Sequence, residues 1–395
     1  MKKTTKLVFT GDIGFDKYMY GKWEDADLLD QSIMDFTKSG DHLIVNVEGP
    51  LSDGRKMEIQ GSASALVHSM DPKATMFLDR IGADIWNICN NHIMDAGACG
   101  MSDTLEEARK HKATVLGAGM NIDQASEPVY LDEAGGIGMI GVGYQRACRK
   151  ADEDTPGCFS WSDMERIRNT ISAIKTKCRW CIVVAHGGEE FTALPSPYTR
   201  DRYIEYLNMG ADIVVSHHPH VPMNYELFDN KAIFYSLGNF VFDTDYQRSQ
   251  YNTEYGVVLK LLLDENGFSF EAQGLKIDRE SSRILEESLP DIFTNVPNDE
   301  YELLAPLAAK MFIENTKRQL RYMKPALFEG ATEEEFVRNF YEPLRSGRVP
   351  GEVLDMQIVY PLAQKEIEHA WENSKLDKVK NFIMKQIPEY QHITH

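Results

Sequence analysis

The sequence predicts an α/β protein that ends in a helical region, and three observations carry that reading. Short apolar runs of strand length alternate with stretches of helical periodicity through about residue 280. Each run stops abruptly at polar residues, as strands do where they leave the core of such a fold and where ligands bind. Near Leu289 the texture changes to apolar residues at helical spacing with almost no strand signal. Residues 1–285 are therefore expected to form one α/β domain and 286–395 a helical accessory region. The pattern leaves open whether the strands form one sheet or two.

Taken in order, Lys6 to Thr10 reads as a first strand ending at Gly11-Asp12, and Leu43 to Val47 as a second ending at Glu48-Gly49-Pro50. A helix is expected between them, from Asp27 to Thr37. Asp71-Pro72 is an N-cap followed by proline at the first helical position, opening a helix to about Ile81. Asp84 to Cys89 is a third strand that stops at Asn90-Asn91-His92, followed by a helix from Ser102 to His111 and a strand over Thr114 to Leu116. Gly136-x-Gly138-x-x-Gly141 superficially fits a dinucleotide fingerprint, but its glycines lie inside a strand-like run and open no helix, so the motif is dismissed. A helix from Asp163 to Thr176 leads to the strand Cys181 to Ala185, which stops at His186-Gly187-Gly188-Glu189-Glu190. A helix from Arg200 to Met209 leads to the apolar run from Ile213, which stops at His217-His218-Pro219-His220. Ala232 to Tyr235 is a further strand, and Tyr255 to Leu263 with Phe268 to Ile277 a closing hairpin. Glu302 to Met323, Glu333 to Leu344, Val353 to Asn373 and Leu376 to Gln386 are the helical stretches of the tail.

Composition narrows the partners. Lys plus Arg number 42 against 61 for Asp plus Glu, a net charge of −19 that argues against nucleic acid or an anionic membrane surface. No stretch approaches the roughly 20 apolar residues of a membrane span. The opening MKKTTKLVFTGDIG lacks the apolar core of a secretory signal, so a cytoplasmic location is expected. Six cysteines are too few for a disulfide scaffold of this size. Cys178 and Cys181 form a lone C-x-x-C: zinc would need a second pair and a thioredoxin-like site a helix opening at the motif, so both read as packing residues.

One regularity links the strand ends. In order they present Asp12, Glu48, Asn91 with His92, His186, and His218 with His220. Three of the eleven histidines fall within four positions. In an extended His-x-His segment, His218 and His220 project to one side and His217 to the other. Same-side geometry thus favours His218 over His217 as the partner of His220. Mixed carboxylate, amide and imidazole ligation suits Mn, Fe or Zn, and a shared carboxylate can bridge two ions.

The same residues carry a resemblance. Gly11-Asp12, NVEGP (46–50), NNH with Asp95 and Gly97, GAG (117–119), HGGEE (186–190), GAD with SHHPHV (210–221) and YSLGNFVFD (235–243) together resemble the CapA-type poly-γ-glutamate capsule biosynthesis family, which is related to the calcineurin-like metallophosphoesterases. The resemblance covers about residues 5–280 and none of the helical tail. It implies a four-layer α/β/β/α sandwich and a site at the strand ends holding one or two divalent ions. Asp12 and His220 would hold a first ion, Asn91, His186 and His218 a second, and Glu48 would stand where the phosphoesterases have a bridging aspartate. His92 would stabilise or protonate the leaving oxygen while a metal-bound hydroxide attacks.

Two departures stand out. Asp12-Ile13-Gly14 replaces Asp-x-His, so the first ion lacks the imidazole of that motif, and Glu48 lengthens the bridging arm by one methylene. Asn90, His217, Glu189 and Asn239 are candidates for orienting ligands or touching substrate, with Glu190 beside them. Arg55 and Lys56 follow the Glu48 loop, where an anionic substrate would meet them or where they are plain surface residues. His42, His68, His111, His369, His392 and His395 lie apart from the pattern and read as structural or exposed.

Two functions follow from different classes. One is a metal-dependent hydrolase of an anionic small molecule or polymer, with a phosphoester as the expected bond. The other is a non-hydrolytic, polymer- or partner-binding component of capsule assembly that docks through the helical tail. The chain carries no Gly-x4-Gly-Lys-Ser/Thr loop, so any ATP-driven step would fall to a partner.

Overall fold

The computed structural model describes residues 4–52, 67–144, 148–308, 311 and 364–386. In chain order the elements are β1 (Thr5–Gly14), α1 (Gln31–Thr37), β2 (His42–Val47), α2 (Thr75–Ile81), β3 (Ile85–Asn87), α3 (Gly97–Lys110), β4 (Thr114–Leu116), β5 (Ala118–Gly119), α4 (Ile122–Ala125), β6 (Val129–Leu131), β7 (Ile137–Gly143) and β8 (Gly157–Cys158). They continue with α5 (Met164–Lys177), β9 (Trp180–His186), α6 (Pro197–Met209), β10 (Ile213–His217), β11 (Tyr225–Phe228), β12 (Lys231–Phe234), β13 (Asn239–Phe242), α7 (Asp245–Arg248), β14 (Tyr255–Leu263), β15 (Phe268–Asp278), β16 (Arg283–Glu287), α8 (Gln364–Asn373) and α9 (Asp377–Gln386).

The strands form two main sheets. The first has the order β16-β15-β14-β1-β2-β3-β4 with β13 also beside β1, and the second the order β11-β12-β10-β9-β7-β6. β1, β2, β3 and β4 run parallel, as do β7, β9, β10 and β12, so in each sheet these strands deliver their carboxyl ends to one edge. Alternation along the strands decides what faces what. Leu7, Phe9 and Ile44 of the first sheet share one buried cluster with Ile182, Val184, Ile213 and Val215 of the second. Val8 and Val45, one residue out of phase, join Ile33, Phe77 and Met101 of α1, α2 and α3. On the second sheet Ile140, Val183 and Val214 meet Ile171 and Ile174 of α5 and Tyr203 of α6. Each such fully buried aliphatic side chain contributes about 1.5–3 kcal/mol.

Glycines set how closely these parts approach. A Cβ on Gly141 would lie 2.7 Å from the Cα of Gly117 and 2.9 Å from Asn87 Oδ1, so the two sheets pinch together there. A Cβ on Gly138 would lie 2.4 Å from Ile174 Cγ2 of α5. The dismissed glycine motif thus lies within β7 and serves packing.

Several expectations shift. β1 continues through Asp12 to Gly14, because β13 pairs with its end, Asp12 with Asn239 and, after a bulge, Ile13 with Val241. α3 begins at Gly97, five residues earlier than the cap signal at Ser102 suggested. β11 and β13 were absent from the sequence reading. The His-x-His segment is not extended: His218 and His220 have φ of 99° and 57°. Such left-handed backbone at non-glycine residues costs about 1–3 kcal/mol and clusters at functional sites. β16 runs to Glu287, two residues past the expected boundary.

The described part of the tail is helical, over 298–308 and in α8 and α9. Tyr301, Leu304, Ala370, Val379 and Ile383 share a cluster with Ala193 and Leu194 of the segment after β9. Tyr301 Oη donates to Pro195 O at 2.8 Å, which ties this cluster to that segment. The stretch Glu333 to Leu344, the flanking parts of the other predicted tail helices, and Arg55, Lys56, His392 and His395 lie outside the described residues.

Candidate metal centre

The carboxyl ends of β1, β2, β9 and β10 converge on one buried cluster. Asp12 enters from the bulge of β1, Glu48 from the residue after β2, His186 from the last residue of β9, and His218 and His220 from the turn after β10. All five are buried. Asp12, Glu48 and His186 place ligand atoms within 4.8 Å of one another, as do Glu48, His218 and His220. Glu48 belongs to both groups, which cross the expected division of the ligands: Asp12 falls with His186, and His218 with His220. Asn91 joins through its Oδ1, 2.8 Å from His186 Nε2.

The donor set fits a divalent cation. Glu48 Oε1 is buried without a hydrogen-bond partner, with Nε2 of His220 at 3.5 Å and of His186 at 3.9 Å. Burial, reinforced by the Asp12 charge against the opposing pull of His220, holds the Glu48 carboxyl well above the usual carboxylate range. For Asp12 burial acts the same way, but the hydrogen bond and charge of His220 outweigh it and the net direction is down. Burial alone would lower His220, yet Glu48, Asp12 and Glu190 push it up to about 10. The paired carboxylates thus draw positive charge into the cluster. Burial and neighbouring histidines push His186 well down and His218 down to about 3, which leaves both as neutral imidazoles, the ligating form.

Surrounding groups fix these side chains. Asn46 of β2 donates through Nδ2 to Asp12 Oδ1 at 2.8 Å and is itself held by Asn87 Nδ2 at 2.9 Å. The His218 main-chain N–H lies 3.3 Å from Asp12 Oδ2. His220 places Nδ1 3.0 Å from Asn239 Oδ1, which directs Nε2 at the cluster. Its ring stacks on Phe191 and on Phe242, at centroid distances of 5.9 and 5.0 Å. Phe242 also accounts for the missing imidazole of the first ion. A Cβ on Gly14 would lie 2.0 Å from that ring, so any side chain at 14 would have to displace the wall behind His220.

The other candidates separate by role. Asn90 accepts from the Gly49 and His92 main-chain N–H groups at 3.2 and 3.1 Å and donates to Val47 O at 2.7 Å, fastening the Asn-Asn-His turn to the end of β2. His217 points away from the cluster, with Nε2 2.9 Å from Thr10 O. The Glu189 carboxylate accepts from Ser196 N at 2.9 Å and from the Ser196 and Thr199 hydroxyls, so it fastens the start of α6. Glu190 is the nearer carboxylate, with Oε1 4.0 Å from His218 Nε2. His92 has Nδ1 on Asp95 Oδ2 at 2.7 Å, and burial, with His68 and His220 nearby, pushes its proton affinity well down. Burial raises Asp95 to about 6.

The sequence reading missed Asn46, Asp16 and His68. His68, set aside as structural, bonds through Nδ1 to Asp16 and packs against His92. The buried Cys158 and Cys148 approach the main-chain carbonyls of Asn90 and His186 at 3.4 and 3.8 Å. Cys181 is buried within β9 and Cys178 caps the end of α5, consistent with packing roles.

Residues 6–244 match the model of the family described as bacterial capsule synthesis protein PGA_cap. The chain is 31% identical over 248 residues to the PGA biosynthesis protein CapA of Bacillus subtilis (strain 168), covering 61% of this chain and 64% of that protein. It is 28% identical over 280 residues to the capsule biosynthesis protein CapA of Bacillus anthracis, covering 67% and 66%. The aligned part therefore spans just under two thirds of the length of these curated relatives. A solved structure, that of TT1561 from Thermus thermophilus, aligns over 68% of this chain and 99% of its own at 9% identity and a TM-score of 0.36, a likeness too slight to bear on function.

Proposed function

Because this chain belongs to the bacterial capsule synthesis protein family PGA_cap, we propose that it is a metal-dependent hydrolase acting on a phosphoester, in a role linked to capsule or polyglutamate synthesis. The single observation that carries this reading is the buried Glu48 carboxylate, which shares close ligand-atom groups with Asp12 and His186 and with His218 and His220 and has one oxygen unpartnered. In this reading the two facing sheets and their outer helices are the α/β/β/α sandwich of the metallophosphoesterases, with residues 286–395 as an accessory region. Asp12, Glu48 and His220 hold one ion, and Glu48, Asn91, His186 and His218 a second; Mn, Fe and Zn suit such ligands. When bound, these ions supply Lewis acidity toward a phosphoryl oxygen and toward water.

The protein's own groups do the rest. Asn46 and Asn239 hold Asp12 and His220 in their ligating orientations. His92, with Nδ1 fixed by Asp95, presents Nε2 to the leaving oxygen. Its low proton affinity keeps it neutral in the free site, and an anionic substrate is what charges it. Phe191 and Phe242 limit water around His220.

Elemental analysis of chelator-free protein tests the reading, with wild type measured beside the His218→Ala/His220→Ala double variant and Asn91→Ala. One or two equivalents of Mn, Fe or Zn are expected in the wild type, lost in the double variant and reduced in Asn91→Ala, together with turnover in a phosphoester screen. Metal-free wild type after supplementation, or loaded protein that cleaves no phosphoester, overturns it. The second reading is a non-hydrolytic, polymer-binding component, favoured by relatives named for biosynthesis. Polyglutamate retention by metal-loaded protein without turnover would establish it.

A further inference from the structure

Beside His92 stands a second imidazole held in the same manner. His68 bonds through Nδ1 to the Asp16 carboxylate, as His92 bonds through Nδ1 to Asp95 at 2.7 Å. Asp95 Oδ2 also accepts from the His68 main-chain N–H at 2.8 Å, so one carboxylate sets the spacing of both rings. The rings meet edge to face with centroids 4.2 Å apart. On another side His68 meets Phe242 at 5.0 Å, the ring that stacks on His220. Both side chains are 11% exposed. Among the described residues, Nε2 of neither ring has a hydrogen-bond partner.

His68 is linked to the proposed ligands through Phe242, which touches both its ring and that of His220. Glu190, whose Oε1 is 4.0 Å from His218 Nε2, is raised by burial, with His220 and His68 both pulling it the other way. If this corner needed only filling, an apolar side chain between Phe242 and His92 would do so without burying a second imidazole–carboxylate pair. An imidazole backed by a carboxylate is suited to carry charge on Nε2 when an anionic oxygen lies against it.

We propose that His68 is a second substrate-contacting residue of this site, its Nε2 bonded to an oxyanion oxygen of the substrate while His92 serves the leaving oxygen. The proposal rests on the phosphoester reading above and adds a group that recognises the anion beside His92. It also gives Asp16 a positioning role, holding the His68 ring by Nδ1.

The test uses the full chain loaded with manganese, comparing wild type, His68→Ala and Asp16→Asn. Expected for His68→Ala are an unchanged metal content, a roughly 100-fold fall in kcat/KM on an aryl phosphoester that the wild type cleaves, and inhibition by inorganic phosphate weakened about tenfold. Added imidazole restores part of the rate, which a purely structural role would not allow. Asp16→Asn shows a smaller loss in the same direction. The proposal is overturned if His68→Ala stays within about twofold of wild type in both kcat/KM and phosphate inhibition. Should His68→Ala fail to fold, Asp16→Asn decides by the same two readouts. A wild type that binds metal and phosphate without turnover sinks the hydrolytic reading alone, and phosphate affinity then decides the role of His68. A wild type that binds neither sinks both.

Discussion

At the scale of single residues, Glu48 shows how a site can cost stability. Its carboxylate is buried, partly unpartnered and close to Asp12. Glu48→Gln removes a desolvated charge, so the metal-free variant is expected to be as stable as wild type or more so, by up to roughly 2 kcal/mol. Metal stoichiometry should fall in the same variant, and urea denaturation with and without manganese measures both effects. Asp12, Glu48, His186, His218 and His220 were legible in the sequence because each follows an apolar run, and a polar residue at such a place has few structural reasons to be a good ligand. Asn46 and Asn87 were not, since they sit within β2 and β3. Yet an asparagine in the middle of a buried strand, as in LIVNV or IWN, is itself a signal, because its amide must find a buried partner. Asp16 and His68 are separated by 52 positions and meet only in three dimensions.

At the scale of elements, close approaches decide more than propensities. Gly141→Ala would press β7 against the backbone at Gly117 where the sheets pinch, and a destabilisation of about 1–3 kcal/mol is expected from its denaturation midpoint. The start of β2 offers a pH-dependent case. His42 Nδ1 lies 2.6 Å from Asp84 Oδ2, and that bond, against the opposing effect of burial, raises its proton affinity. A raised folded value means the contribution is fully present below the ordinary histidine value of about 6.5 and is lost as pH rises through the folded value. His42→Gln should therefore cost up to about 1 kcal/mol at pH 5.5 and less at pH 9, a difference that paired denaturation curves would reveal. The Tyr255–Leu263 hairpin was readable from two alternating runs around a turn. β11 and β13 were not, because four-residue strands beside a functional turn carry too little periodicity.

At the scale of the whole molecule, two sheets pack face to face, and alternation within each strand could not by itself distinguish that from one sheet covered by helices on both sides. The helical texture of the tail was legible, whereas its contact with the segment after β9 was not, since apolar spacing names a buried face without naming what covers it. No helix among the described residues is long and apolar enough to cross a membrane. Because the proposed ligands come from β1, β2, β9 and β10 and so from both sheets, metal binding should stabilise the fold as a unit. At a hundredfold excess of ion over Kd the gain is about 2.7 kcal/mol. Calorimetry should show the melting temperature of wild type falling on chelation, while the His218→Ala/His220→Ala variant melts at the same temperature with or without chelator.

The stacking of His220 on Phe191 and Phe242 has a spectroscopic consequence. Protons on an imidazole stacked on two aromatic rings lie in their ring currents, so the carbon-bound protons of His220 should resonate upfield of the ordinary histidine range. A diamagnetic ion such as zinc arriving at Nε2 would move those signals without broadening them. A single resolved resonance would then report site occupancy directly, with no assay and no knowledge of the substrate.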